Sequence, residues 1–256
     1  MNKLFLGAAV CAVGLGIAGP ASAQAIGIGA GKQGSQNYAV NAGMAKFLSD
    51  ELGMDVRVQA YGGSGQSMPL IDQGRLDIQL IPSPDVSAAV AGNEPFEGKS
   101  LENLRVVGSL SSSAYGFMVA KDSPYKSVKD IKGKSITYGY TAQPTLRFQV
   151  DGILAAGGLS IDDMDSHLVP SVPNGVDDLI SGNVDVAFFA LQGGKTREAD
   201  AAIGIRWLAV DDTPEAEAAM KKYVPTAYVK TVEPGEGNVG IDVPSTRESV
   251  LRDHAE

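Results

Sequence analysis

One pattern constrains the fold more than any other: a short strand, a turn rich in glycine and hydroxyl residues, and a helix, repeated along the chain. Ala25 to Gly29 is a predicted strand, and Ser35 to Leu52 is a predicted helix with apolar residues at helical spacing. Val56 to Ala60 is the next strand, Tyr61-Gly62-Gly63-Ser64 turns into a second helix, and Asp77 to Ile81 is a third strand. Strands that alternate with helices in this way form parallel sheets covered by helices.

The same pattern starts again in the second half of the chain. Arg105 to Leu110 and Phe117 to Ala120 are predicted strands that pass between two lobes. Lys134 to Tyr138 is a further strand, and the turn Gly139 to Thr145 leads into a helix. The sequence therefore predicts an α/β protein with two lobes, each a mostly parallel sheet flanked by helices.

The N-terminus has the features of a secretory signal. Met1-Asn2-Lys3 is positively charged, Leu4 to Gly19 is almost entirely apolar, and Pro20 to Ala23 supplies the small residues that a signal peptidase recognises. The alternative is a retained membrane anchor, but the apolar run is shorter than the roughly 20 residues that span a bilayer. We predict cleavage before Gln24 and export to the periplasm.

Composition excludes several classes of function. The only cysteine, Cys11, lies in the signal segment, so the mature chain has no thiol for catalysis, metal binding or a disulfide. Removing Lys3 leaves 21 − 1 = 20 basic and 30 acidic residues, a net charge of −10, which argues against nucleic acid as a partner. His167 and His254 are too far apart for a zinc motif, so no metal site is predicted.

Two enzyme motifs are matched only in part. Gly29 to Gly34 fits the glycine spacing of a dinucleotide-binding turn, but the second strand ends at Ala60-Tyr61-Gly62-Gly63 without the acidic residue that holds the ribose. Gly62 to Gln66 differs from the serine hydrolase elbow at its last position. The sequence therefore predicts no cofactor and no catalytic residue.

Four strand-to-helix turns predict a binding site for a small anionic or zwitterionic solute. They are Gly29 to Gln36, Gly62 to Gln66, Ser83 to Asp85 and Thr141 to Thr145. A helix N-terminus offers unpaired N–H groups and a partial positive charge to a carboxylate or phosphate, and such turns meet at the carboxyl edge of the strands. The alternative is that each turn is an ordinary helix start capped by its serine.

The stretch from Ile26 to Asp212 resembles the TAXI family, the TRAP-transporter-associated extracytoplasmic receptors. The resemblance lies in the opening glycine-rich turn before Tyr38-Ala39-Val40, in Tyr61-Gly62-Gly63-Ser64, in Gln73 to Ile78 and in Asp177 to Asp185. It implies a type II periplasmic binding fold with a ligand cleft between the lobes. It also implies delivery to a TRAP membrane subunit and a ligand such as glutamate or a dicarboxylate.

Two departures from the family qualify that expectation. The opening turn carries Lys32 to Asn37 where the family commonly has Gly and Thr, which bears on ligand identity. Family members also usually continue into a longer C-terminal region that returns to the first lobe. We accordingly predict a signal peptide at 1–23, lobe 1 at 24–115, lobe 2 at 116–207 and a return segment to lobe 1 at 208–256, which is either abbreviated or truncated.

The turns and the resemblance together select the predicted ligand-binding residues. They are Gly31, Lys32, Ser35, Asn37, Tyr38, Gly62, Gly63, Ser64, Ser83, Asp85, Thr141, Ala142, Gln143, Thr145 and Phe189. Among them Tyr38 is expected to cover the ligand, and the serine and threonine hydroxyls to bind its carboxylate. The predicted function is a non-enzymatic solute receptor. The alternatives are a ligand-sensing subunit of a signalling system and an enzyme on the same scaffold.

Overall fold

The computed structural model describes residues 25–250, apart from 94, 97, 111, 112, 236, 237 and 242–244. The predicted signal peptide at 1–23, with Cys11, lies outside the described residues. Within them the chain forms two lobes, and none of their helices combines the length and the hydrophobicity that crossing a membrane requires.

The first lobe contains two strands and three helices. They are β1 (Ile26–Ala30), α1 (Gln36–Leu52), β2 (Val56–Ala60), α2 (Ser64–Asp72) and α3 (Ser83–Ala91). β1 and β2 are parallel, with Ile28 opposite Val58. The third strand predicted at Asp77–Ile81 does not form over that length. A single parallel bridge joins Ile28 to Ile78. The segment then reaches Pro82, which has no N–H to donate to a ladder and is the N-cap residue before α3.

Packing in the first lobe centres on a small cluster formed by Met68, Ala89, Phe96 and Leu101. The predicted first helix exists, but its buried residues are Asn41 and Ala45, and Phe47 is 59% exposed. Asn41 joins α1 to the end of the Asp77–Leu80 segment, because its Oδ1 accepts from the N–H of Leu80 at 2.8 Å. This contact holds the helix N-terminus against the edge where the turns meet.

The second lobe has a mixed sheet. Its elements are β3 (Ser113–Ala120), β4 (Ser135–Tyr138), α4 (Leu146–Ala156), β5 (Asp165–Leu168), α5 (Val172–Ile180), β6 (Ala187–Ala190), α6 (Gly194–Ile203) and β7 (Ile205–Trp207), with short 3₁₀ turns at Val128–Ile131 and Ile161–Asp163. β4 pairs in parallel with β5 and, through the Ile136–Val186 bridge, with the segment that enters β6. β3 is antiparallel to β6 and β7, so the prediction of a mostly parallel sheet is corrected here.

The segment between the lobes also differs from the prediction. No strand forms over Arg105–Leu110, where Val106 and Val107 are 79% and 86% exposed. The next strand is β3, which begins at Ser113 and pairs with strands of the second lobe. Apolar residues in this stretch look like a buried strand in the sequence, but no neighbouring strand pairs with them in the described part of the chain.

The C-terminal elements join the second lobe. They are α7 (Pro214–Lys221), β8 (Ala227–Val232) and β9 (Ser245–Val250). α7 packs against α4, β8 pairs with β9, and β9 pairs antiparallel with β3, with Ala114 opposite Ser249. The described part of 208–256 therefore does not make the predicted return to lobe 1. One edge of β3 pairs with β7 at one end and with β9 at the other end. This pairing protects backbone N–H and C=O groups that would otherwise be exposed.

Candidate functional site

A cavity of about 50 Å³ lies between the two lobes. Its wall includes the N-terminal ends of five helices, α1, α2 and α3 from lobe 1 and α4 and α5 from lobe 2. Eight of the predicted residues line it: Gly31, Ser35, Asn37, Gly63, Ser64, Asp85, Gln143 and Phe189. The strand-to-helix turns of both lobes therefore meet at one place, as parallel strand–helix units require.

The opening turn of lobe 1 is held by its own side chains. Ser35 caps α1, because its Oγ accepts from the N–H of Tyr38 at 3.1 Å. Asn37 accepts from the N–H of Gly31 at 2.7 Å and donates to the carbonyl of Leu80 at 2.6 Å. These bonds occupy the polar groups of Asn37, so this side chain shapes the cavity wall and positions the turn.

Asp85 is the buried charged residue of the cavity wall. It lies in the first turn of α3 and is 4% exposed. The hydroxyl of Ser64 donates to its Oδ2, and the hydroxyl of Thr145 donates to its Oδ1 from the opposite lobe. Burial raises the pKa of the Asp85 carboxyl, and the two hydroxyl hydrogen bonds offset this only in part.

This arrangement changes the role expected for two hydroxyls. A hydroxyl has one hydrogen to donate. Ser64 and Thr145 both direct that hydrogen to Asp85. They are therefore unable to donate to a solute carboxylate while these bonds last, and they can only accept a hydrogen bond from a solute.

The lobes are in contact around the cavity, so the structure describes a closed arrangement. The Nζ of Lys32 in lobe 1 donates to Oδ1 of Asn174 in lobe 2 at 2.6 Å. The backbone N–H of Lys195 in lobe 2 donates to the carbonyl of Gly34 at 3.0 Å. The hydrogen bond from Thr145 to Asp85 is a third bond between the lobes.

One side of the cavity is aromatic. The rings of Tyr115 and Phe188 are stacked, with centroids 5.5 Å apart and planes 9° from parallel. Phe188 also contacts Phe117 edge to face at 6.5 Å and Tyr140 at 6.0 Å. Phe188 and Phe189 are both buried and both line the cavity. β6 thus contributes rings to the site as well as to the core.

Two amide side chains in the wall carry a buried oxygen that accepts no hydrogen bond from the described residues. They are Gln36, at the start of α1, and Gln79, in the segment after α2. A buried polar atom without a partner costs about 1–3 kcal/mol, so native proteins rarely retain one without a use for it. These oxygens can accept hydrogen bonds from a solute.

Seven predicted residues lie outside the cavity wall: Lys32, Tyr38, Gly62, Ser83, Thr141, Ala142 and Thr145. Lys32 and Thr145 link the lobes, and the backbone N–H of Gly62 donates to Gln66 at 3.0 Å. Thr141 is exposed, with its hydroxyl 3.4 Å from the carbonyl of Pro170. Ala142 lies against Gly62 and Gly63. Tyr38 is partly exposed on α1, and Ser83 begins α3.

Sequence reasoning missed the other residues of the wall. They are Gln36, Gln79, Pro82, Tyr115, Leu146, Val172, Phe188 and Ala190. Most are apolar residues at a strand end or a helix start, and nothing distinguishes them from core residues in a single sequence. The two glutamines were the detectable ones, since Gln36 ends the first turn assigned to the site and Gln79 lies in the predicted strand that precedes the turn at Ser83.

This fold, with its cavity between two lobes of mixed sheet and flanking helices, defines the class of two-lobed periplasmic binding proteins. Within that class the chain belongs to the NMT1-like family, which matches it over residues 28–237.

Solved structures agree with the fold. The chain is similar to a protein described as a periplasmic transporter, with 17% identity, a TM-score of 0.56, and coverage of 76% of this chain and 68% of that one. It is similar to PhnD1 from Prochlorococcus marinus in complex with methylphosphonate, with 15% identity, a TM-score of 0.52, and coverage of 78% and 82%. It is also similar to the alkanesulfonate-binding protein SsuA from Xanthomonas axonopodis pv. citri bound to MOPS, with 18% identity, a TM-score of 0.50, and coverage of 73% and 60%. The chain spans about three fifths of the length of the sulfonate-binding proteins that it matches.

Proposed function

We propose that the protein is a periplasmic solute receptor without catalytic activity, whose lobes close on a small solute that it delivers to a membrane transporter. The observation that carries this proposal is the convergence of helix N-termini from both lobes on one cavity, beside hydrogen bonds that join the lobes. Family membership and the names of the similar structures support it, since those proteins bind or transport small molecules.

The solute is proposed to carry a carboxylate, as a glutamate-like amino acid or a dicarboxylate does. Helix N-termini favour an anionic group because their N–H groups and dipoles point toward it. One similar protein holds methylphosphonate, which is also a small oxyanion. The TAXI resemblance supports the same class of ligand and, in addition, a TRAP-type membrane subunit as the partner.

A thermal-shift screen tests the receptor. Amino acids, dicarboxylates, keto acids, phosphonates and sulfonates are added in turn to the mature protein. A solute that binds only the folded state at about a hundred times its Kd stabilises that state by about 2.7 kcal/mol and raises the Tm. If no solute in this panel raises the Tm, and none changes the radius of gyration in solution scattering, the receptor proposal is wrong.

Export and delivery are tested separately. Mass spectrometry of the periplasmic fraction should find a chain that begins at Gln24. Deleting the TRAP membrane subunits of the host should abolish uptake of the identified solute. If uptake persists but the solute alters the output of a histidine kinase, the protein is a sensing subunit instead.

A further inference from the structure

The charges that face the cavity do not match a site for a simple anion. Among the described residues that line it, Asp85 is the one acidic side chain, and no lysine or arginine accompanies it. The nearby lysines are bound elsewhere. Lys32 donates to Asn174 across the cleft, and Lys195 pairs with Asp177 and Glu198.

The polar groups around Asp85 are mainly acceptors for a solute. A carboxylate has room for about four hydrogen bonds, and Ser64 and Thr145 supply one to each oxygen. The buried amide oxygens of Gln36 and Gln79 add two further acceptors in the same wall. An amide can turn over and present its N–H₂ group, but a carboxylate cannot become a donor while it is ionised.

A solute carboxylate placed beside Asp85 would bring two like charges together in a buried cleft. Such a contact is costly because burial removes the water that screens the charges. A protonated amine beside Asp85 would be attracted instead and would complete its hydrogen bonds. The helix N-termini on the other parts of the wall remain suitable for the solute's anionic end.

We propose that Asp85 is the specificity-determining residue of the cleft and that it selects solutes bearing an ammonium or another cationic N–H donor in addition to the carboxylate. This inference rests on the proposed receptor function and narrows its solute from carboxylates in general to zwitterions. The stacked rings of Tyr115 and Phe188 provide a surface for a compact apolar part of the solute. Dicarboxylates without an amine are excluded.

Pairs of probes that differ only in the amine test this directly by titration calorimetry at pH 7. The pairs are L-glutamate with glutarate, L-norvaline with valerate, and L-phenylalanine with 3-phenylpropionate. We expect any binding pair to favour the amine-bearing member by at least about tenfold to a hundredfold, the range for one hydrogen bond to a charged group. Equal or tighter binding of the deaminated member overturns the inference and leaves the receptor proposal standing.

Variants then assign the preference to Asp85. Asp85→Asn keeps the size of the side chain and removes its charge, so the preference for the amine should disappear. Asp122→Asn removes the same charge from the exposed turn after β3, at the far end of that strand from Tyr115, and should leave the preference unchanged. Thr145→Val keeps the charge of Asp85 and should retain the preference even if both affinities fall.

Three further outcomes contradict the inference. Asp85→Asn that retains the full preference shows that another group binds the amine. Thr145→Val that abolishes the preference shows that lobe closure, rather than charge, sets it. If no pair binds at millimolar concentration although the broader screen identifies another solute, the receptor proposal survives and the zwitterion assignment is wrong.

Discussion

A Cβ atom on Gly63 in lobe 1 would lie 2.0 Å from the carbonyl oxygen of Ala142 in lobe 2. The φ of Gly63 is −177°, an extended conformation that any residue can adopt. The requirement for glycine at this position therefore comes from the opposite lobe, not from the local backbone. Ala142 belongs to the turn between β4 and α4, so this contact brings the Gly-Gly-Ser turn directly against the main turn of lobe 2.

Gly63→Ala should prevent the lobes from reaching this closed arrangement, because the added methyl group would overlap the backbone carbonyl of Ala142, which is fixed in position. We expect the affinity for the solute to fall by at least about tenfold, equivalent to about 1.4 kcal/mol. Solution scattering should show a larger radius of gyration for the variant with solute than for the unmodified protein with solute.

Gly65→Ala is the matched control. A Cβ atom on Gly65 has only Pro95 within 4 Å, at 3.8 Å, and alanine favours a helix over glycine by about 1 kcal/mol. This variant should bind normally and unfold at the same or a slightly higher temperature. If Gly63→Ala and Gly65→Ala have the same affinity for the solute and the same radius of gyration with it, the close contact with Ala142 does not control closure of the lobes.

Thr145→Val should weaken the closed state, because it removes one of the two hydroxyl donors to a buried carboxylate while preserving the shape of the side chain. A hydrogen bond to a charged group contributes about 1.5–3 kcal/mol. We expect the free energy of unfolding at pH 7, measured with urea, to fall by a similar amount if the lobes are closed in solution.

Thr141→Val provides the comparison within the same turn. Thr141 is exposed and outside the cavity wall, and exposed substitutions usually change stability by less than about 0.5 kcal/mol. The sequence predicted both threonines as ligand-binding residues, and only Thr145 contacts a group in the cavity wall. Equal losses for both variants would contradict this distinction.

The sequence predicted the elements that depend on local chemistry. Strand-to-helix turns such as Gly62-Gly63-Ser64 were recognisable because glycine and hydroxyl residues favour a turn and a helix start. Parallel alternation of strands and helices then required those turns to meet at one sheet edge, and the structure confirms the two-lobed fold. Asp85 was identified for the same reason, since it ends the turn that begins at Ser83.

Strands and hydrogen bonds that depend on contacts between distant segments could not be predicted from local chemistry. Arg105–Leu110 has the composition of a strand, but a strand also needs a neighbour to accept its hydrogen bonds. β9 pairs with β3 across more than a hundred residues, and no local signal assigns it to lobe 2 rather than lobe 1. The donation of the Ser64 hydroxyl to Asp85 is likewise a tertiary contact, which reverses the role that the isolated turn suggested.

Lys32 and Asn174 should be coupled in solute binding. The Nζ of Lys32 donates to Oδ1 of Asn174 at 2.6 Å across the cleft, and Asn174 also accepts from the Ser171 hydroxyl at 2.8 Å. A double-mutant cycle with Lys32→Met and Asn174→Ala isolates this bond. We expect a coupling free energy of about 0.5–1.5 kcal/mol in the affinity for the solute. Effects that simply add would show that the bond between Lys32 and Asn174 does not contribute to solute binding.

The buried carboxyl of Asp85 should make stability depend on pH in a defined direction. Its pKa is raised in the folded state, chiefly by burial, above the unfolded value of about 3.9. The folded state therefore binds a proton more readily than the unfolded state, so the contribution of Asp85 to stability increases as the pH falls toward the unfolded pKa. Above the raised folded pKa, the ionised buried carboxylate lowers stability.

Asp85→Asn removes this titration and is the variant for measuring it. Urea unfolding of the unmodified protein and the variant is compared from pH 7 down to about pH 4, the region just above the unfolded pKa. The free energy of unfolding of the unmodified protein minus that of the variant should increase as the pH falls, whatever its sign at pH 7. Other titrating groups are common to both proteins and cancel in the difference. A difference that decreases toward acidic pH would mean that the hydroxyls of Ser64 and Thr145 stabilise the ionised carboxylate more than burial destabilises it, and a constant difference would mean that the two effects balance.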